Sequence, residues 1–279
     1  MQKFLRKNLL LCGIAAFTAC NNTNEKNNSA KMEEPKTPVI VVNPVSYPGD
    51  SVTMNGFVAY DSASSVKRPV VLLVHEWWGV NDYAVSRAKQ LAELGYLAMA
   101  VDMYGNGAQG NDPDAAGKLA MPFYKDPQMA KRRFDAALEK IKTYPQADAG
   151  KIAAIGYCFG GTQVLNMAAL GENLDGVVSF HGGLETVAAD KNSLKAKILI
   201  CHGEADSFVP AEQVAKFRKN LDSIGASYTF KSYAGGQHAF TNPAATENGL
   251  KFKLPISYNA AADTASWNDM KVFLQEVFK

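Results

Sequence analysis

Residues Gly156-Tyr157-Cys158-Phe159-Gly160 decide the reading of this chain. They follow the apolar run Lys151-Ile-Ala-Ala-Ile155 and lead into Thr162-Gln-Val-Leu-Asn-Met-Ala-Ala-Leu170. The first run predicts a strand and the second a helix. A strand that turns into a helix within five residues needs a strained corner. Flanking glycines let the helix and the neighbouring strand approach it. The helix N-terminus beneath the corner favours an anion, so a cysteine placed there is a candidate nucleophile, drawn toward its thiolate form. Gly-x-Cys-x-Gly alone fits a buried structural cysteine equally well. The surrounding sequence separates the two readings.

Working outward, apolar runs alternate with helical ones. Val52 to Tyr60 alternates loosely and predicts an outer strand, and Pro69-Val-Val-Leu-Leu-Val74 predicts a buried parallel strand. Further strands are expected at 96–101, 175–181, 196–201 and 226–233. Helices are expected at 82–94, 128–144, 210–224 and 260–278, the first and third each followed by glycine. Residues 104–126 are rich in Gly, Asn, Asp and Pro, which predicts a loop or small helical excursion over the site. Strands alternating with helices define an α/β fold with a mostly parallel, doubly wound sheet covered on both faces. Function in such sheets gathers at the carboxyl ends of strands. His75, Glu76, Cys158, Asp206 and His238 all follow predicted strands.

Of 279 residues, 47% are hydrophobic, ample for one core. The formal charge is +2, and Lys3, Arg6 and Lys7 supply three of the positive charges before residue 20, where no acid lies. The remainder is near neutral, so nothing points to nucleic acid. Those three cations followed by apolar Leu9 to Phe17 predict a targeting segment over 1–19, too short to span a bilayer. Small residues before Cys20 are similar to the lipobox of bacterial lipoproteins, although Phe17 stands where leucine is usual. The polar run after Cys20 reads as a tether over 20–38, leaving 39–279 as the folded domain. Cys158 and Cys201 are the domain's two cysteines. One strand is expected between theirs, which separates them by about 9.5 Å, too far for a disulfide. No His/Cys cluster has metal-ligand spacing, and no cofactor is expected.

Five separate pieces resemble the dienelactone hydrolase family. They are His75-Glu-Trp-Trp-Gly79, Asp102-Met-Tyr104, Gly156-Tyr-Cys-Phe-Gly-Gly161, His202-Gly-Glu-Ala-Asp206 and Gly236-Gln-His-Ala-Phe240. Together they span roughly residues 50 to 279. The resemblance implies the α/β-hydrolase fold, with its order of nucleophile, acid and histidine. Cys158 would be the nucleophile, His238 the base and Asp206 the acid that orients it, with Glu204 as rival. The backbone N–H groups of Phe159 and Trp77 would form the oxyanion hole. By the same resemblance, Glu76 would contact the cysteine at rest and yield to substrate. His75, His181 and His202 read as supporting residues. Trp77, Trp78, Tyr104, Tyr124 and Phe240 are candidates for an apolar pocket.

One departure bears on substrate. Family members acting on carboxylated lactones hold the carboxylate with two arginines, where this chain has Asn106 and Asn242. Arg68, Arg87, Arg132, Arg133 and Arg218 fall at strand entries or on helices, where solvated faces are expected, with Arg132 or Arg133 best placed to reach the pocket. The expected activity is hydrolysis of a small ester or lactone through an acyl-cysteine. The rivals are a thioesterase or acyl transferase using the same residues, and a non-catalytic ligand-binding lipoprotein of the envelope. A monomer is expected, exported and meeting the membrane only through lipid on Cys20. A fatty-acid probe supplied to growing cells is expected to label the full-length protein and to leave Cys20→Ala unlabelled. A mature N-terminus at any other residue would exclude the anchor.

Overall fold

The computed structural model describes residues 37–279. The expected targeting segment, Cys20 and almost all of the expected tether lie outside the described residues. The chain runs β1 (Ile40–Gly49), β2 (Val52–Asp61), β3 (Arg68–Val74), α1 (Asp82–Glu93), β4 (Leu97–Val101), α2 (Pro113–Lys125), α3 (Pro127–Lys142) and β5 (Ala147–Tyr157). It continues through α4 (Phe159–Ala169), β6 (Gly176–Phe180), β7 (Lys197–Gly203), α5 (Ala211–Ser223), β8 (Tyr228–Tyr233), α6 (Ala245–Phe252) and α7 (Ala260–Val277).

The strands form one sheet in the order β1-β2-β4-β3-β5-β6-β7-β8. From β4 to β8 all pairings are parallel; β1 and β2 add antiparallel at one edge. The apolar run Val70–Val74 is wholly buried, as a strand covered on both faces requires. Alternate residues feed two cores. Val70, Leu72 and Val74 pack with α3, α4 and α5; Val71 and Leu73 pack with α1 and α7. Each fully buried leucine or phenylalanine there contributes roughly 1.5–3 kcal/mol. Side-chain caps start α1, α2, α3 and α7: Asn81 accepts from Ala84 N, Asp112 from Ala115 N, Asp126 from Met129 N and Asn259 from Ala262 N.

This topology places the site. β4 lies on one side of β3 and β5 on the other, so the direction of winding reverses between β3 and β5. Ligands bind at such a reversal, beyond the carboxyl ends of the strands. The two ends here deliver Glu76 and Cys158. β6 intervenes between β5 and β7, and Cys158 and Cys201 are both free thiols. No helix among the described residues is long and apolar enough to cross a membrane.

Several expectations are corrected. The strand at 52–61 is not outermost, because β1 pairs along its whole length. Residues 113–125 form a full helix, and α6 arises where no element was expected. Arg87 and Arg133 are buried, not solvated. Arg87 pairs with Asp263 at 2.5 Å and donates to the Thr241 carbonyl at 2.8 Å. Arg133 donates to the Tyr104 carbonyl at 2.8 Å. In each case the charge is satisfied by groups distant in sequence.

The corner after β5 is tightly constrained. Gly160 N–H donates to His75 O at 3.0 Å, tying the start of α4 to the end of β3. A side chain at Gly160 would collide with the Val74 and His75 carbonyl oxygens, and one at Gly156 with the Gly160 carbonyl. Gly160→Ala is therefore expected to cost about 3 kcal/mol or more, read as a lowered urea midpoint at unchanged m-value.

Candidate active site

Cys158 stands at φ 53°, ψ −113°, a conformation that β5, α4 and their glycines impose on a residue with a side chain. Its sulfur lies 3.0 Å from His238 Nε2, and His238 Nδ1 lies 2.9 Å from Asp206 Oδ2. A carboxylate only accepts, so Nδ1 carries the hydrogen and Nε2 faces the sulfur. Asp206 Oδ1 accepts from Phe208 N–H at 2.9 Å, which fixes the carboxylate. The helix cap after this turn is Pro210, so Asp206 is not spent on capping. Glu204, the rival acid, is exposed. His238 is held in its loop by a parallel bridge to Ile256. Burial opposes charge on His238, but the facing Cys158 sulfur and Asp206 together outweigh it and raise its pKa to about 10.

Glu76 is buried and lines the same cavity as Cys158 and His238. Burial pushes its pKa up to about 7, against the opposing effect of a 2.6 Å hydrogen bond from Asn242 Nδ2 to its Oε2. No hydrogen bond joins Glu76 to Cys158. Asn242 occupies the carboxylate, and His238 is the sulfur's partner. Asn242 is the residue that sequence reasoning had read only as a missing arginine. Its role as the partner of Glu76, 166 residues away, left no local signal.

The cavity has a volume of about 240 Å³. Trp77, Trp78 and Tyr124 line it, joined by Phe208, Val209, Leu254 and Ile256. Tyr104 and Phe240 do not line it. Tyr104 lies behind the wall and donates to the Trp77 carbonyl at 2.9 Å. Phe240 is fully buried against His181 and Tyr233. Leu254 and Ile256 follow α6, so the unread helix concealed them. Among the described residues no arginine lines the cavity: Arg132 is held by Asp50, and Arg133 by the Met103 and Tyr104 carbonyls. Asn106 is exposed on the loop after β4.

The Phe159 amide opens α4, where helical N–H groups have no partner within the helix. Trp77 follows β3 and lines the same cavity as Cys158. His75 is buried, its Nδ1–H donating to the Glu76 carbonyl and its Nε2 accepting from Met103 N–H at 3.3 Å. Among the described residues no group of acidic, histidine and cysteine side chains is placed to hold a metal.

Fold and site together define an α/β-hydrolase. The model of the dienelactone hydrolase family matches residues 54–278, and the chain belongs to that family. It is accordingly a hydrolase of carboxylic esters or lactones. It is 31% identical over 208 residues to an Aquifex aeolicus protein provisionally named carboxymethylenebutenolidase, covering 71% of this chain and 86% of that one. It is also 31% identical over 159 residues to the carboxymethylenebutenolidase of Pseudomonas putida, covering 54% and 66%. Among solved structures, a dienelactone hydrolase-like promiscuous phosphotriesterase from metagenomic libraries superposes with a TM-score of 0.81 at 32% identity, over 86% of this chain and 99% of that one.

The raised Glu76 pKa carries a stability signature. The native carboxyl retains its proton to about pH 7, whereas the unfolded one loses it near 4.5. Between those values the native state binds more protons, so this group's contribution falls as pH rises and is lost above 7. Glu76→Gln is expected to gain stability relative to the parent between pH 4.5 and 8, by up to about 3 kcal/mol. Urea unfolding of both proteins across that range measures it; parallel curves would exclude the shift.

Proposed function

We propose that the protein hydrolyses small, uncharged esters or lactones through an acyl-Cys158 intermediate. The observation that carries this reading is the hydrogen-bonded line Cys158–His238–Asp206 opening into a largely apolar cavity without arginine. The Cys158 proton passes to His238 Nε2, and the thiolate attacks the substrate carbonyl. The oxyanion is held by the Phe159 and Trp77 amides. The tetrahedral intermediate collapses, its alkoxide takes the proton from His238, and the acyl group stays on sulfur. Water then attacks the thioester while His238 removes its proton. Collapse releases the acid and regenerates the thiol. Asp206 holds the imidazole tautomer and stabilises the imidazolium.

Glu76 enters this scheme as a cavity carboxyl that stays protonated until about pH 7. Its bond from Asn242 keeps it from competing for the Cys158 proton. A thioesterase would use the same steps on a sulfur leaving group. We further propose that the enzyme acts outside the cytoplasm, tethered by lipid on Cys20.

The test is a burst assay with chromogenic esters. The parent is expected to gain an acyl adduct on Cys158 in intact mass, and Cys158→Ala to lose turnover while remaining folded. Active Cys158→Ala excludes the covalent route. Without a bidentate cation in the cavity, a lactone carboxylate finds no charge-assisted partner. The methyl ester of a carboxylated dienelactone is expected to show kcat/KM at least about tenfold above the free acid. A preference for the free acid would overturn the uncharged-substrate reading.

A further inference from the structure

His181 was read from the sequence only as a supporting residue at a strand end. It follows β6, the strand between those that carry Cys158 and Asp206. Its imidazole is fully buried, and both ring nitrogens are engaged. Nδ1 accepts from the backbone N–H of Cys158 at 3.1 Å. That fixes the tautomer: Nε2 carries the hydrogen and donates to Thr241 Oγ1 at 2.7 Å. Thr241 lies three residues beyond His238, on the same loop. One ring therefore touches both the corner that holds the sulfur and the loop that holds the base.

The far side of this connection is anchored as well. Thr241 Oγ1 also bonds Tyr83 Oη at 2.6 Å, and Tyr83 accepts from Arg87 Nε at 3.3 Å. Arg87 grips the Thr241 carbonyl and pairs with Asp263. The His181 ring also meets the rings of His238 and Phe240 edge to face, at centroid distances of 5.4 and 5.2 Å. Its backbone is held at φ 40°, a conformation few residues with side chains adopt. Burial first, and the neighbouring His238 next, hold the ring well below the usual histidine pKa. It thus stays neutral, and Nδ1 keeps a lone pair for the Cys158 amide, which it shares with the Phe180 carbonyl at 3.0 Å.

We infer that His181 is a positioning residue of the hydrolytic reaction, its imidazole bridging the Cys158 amide to Thr241 and so setting the Cys158–His238 separation. This rests on the acyl-cysteine reading above. Cys158 and His238 come from loops after β5 and β8, three strands apart in the sheet. Small displacements between reacting groups cost large factors in rate. A side chain that spans the two loops controls that distance without touching substrate.

Thr241→Val removes the hydroxyl and keeps the shape. His181→Asn keeps an acceptor for the Cys158 amide in a residue that tolerates positive φ, but cannot reach Thr241. Each is expected to lower kcat by about 10- to 100-fold with KM near the parent value. Thr241→Ser restores the hydroxyl and is expected to restore kcat. Both substitutions break the same His181–Thr241 bond, and Thr241→Val also loses the bond to Tyr83, so the double variant is expected to be no slower than the slower single variant. Thermal unfolding checks that each variant is folded; if His181→Asn does not fold, the Thr241 pair decides alone. A kcat within twofold of the parent in Thr241→Val, or a loss that Thr241→Ser does not restore, overturns the inference. Cys158→Ala in the same assay separates the two readings. If it is inactive while Thr241→Val is normal, only the bridge fails; if it is active, the acyl-cysteine scheme fails.

Discussion

The structure depends on one contact between backbones, the close approach of α4 to the end of β3 at Gly160. The Gly160 amide bonds to His75 O, and no side chain fits between them. This approach forces Cys158 into positive φ and lifts its sulfur above the sheet. It also brings the carboxyl ends of β3 and β5 together at the reversal of the sheet, so Glu76 and Trp77 face Cys158 across the cavity. The candidate base and acid are delivered by loops that reach this same point from β8 and β7. The strain at Cys158 is sustained because Ile152 to Tyr157 of β5 and the whole of α4 are buried.

Electrostatics in the site follow from the same burial. His238 and Glu76 are both removed from water, yet their pKa values move for opposite reasons. His238 faces a sulfur and a carboxylate, and these outweigh the loss of hydration. Glu76 faces a neutral amide from Asn242, which only partly offsets that loss. Two groups with ordinary values of 6.5 and 4.5 are thus carried to about 10 and about 7. Near neutral pH the imidazole therefore holds a proton taken from Cys158 readily, while the carboxyl stands at its midpoint. Groups whose environments separate their titrations in this way divide acid and base roles between them.

The sequence showed those features whose causes are local. The parallel strands were legible because burial on both faces demands continuous apolar runs. The corner was legible because only glycines permit it. Features set by distant partners were not. β1 carries Pro44 and Pro48, which suit an edge strand and disguise it as a linker. Gly117 and Pro122 break the helical pattern of α2. α6 has eight residues and no side-chain cap. Arg87 reads as a solvated helix residue until Asp263, 176 positions away, is seen to meet it. The pocket was half legible: the tryptophans follow the β3 motif, whereas Leu254 and Ile256 enter from a segment with no motif.

Asn242 shows how one position can bear on recognition and on the state of the site together. An arginine there would present a fixed cation to the cavity and to Glu76, drawing the carboxyl toward its charged form. Asparagine supplies a hydrogen bond without charge, and its own oxygen is used by Ala244 N–H at 2.9 Å. Its amide is therefore committed on both sides. The carboxyl it holds remains largely neutral below pH 7, in a cavity that is mostly aromatic and aliphatic. An anionic substrate would meet no arginine among the described lining residues and would lose its hydration on entry. In the proposed reaction, the same substitution that removes a handle for carboxylates leaves an uncharged carboxyl in the wall of the cavity below pH 7.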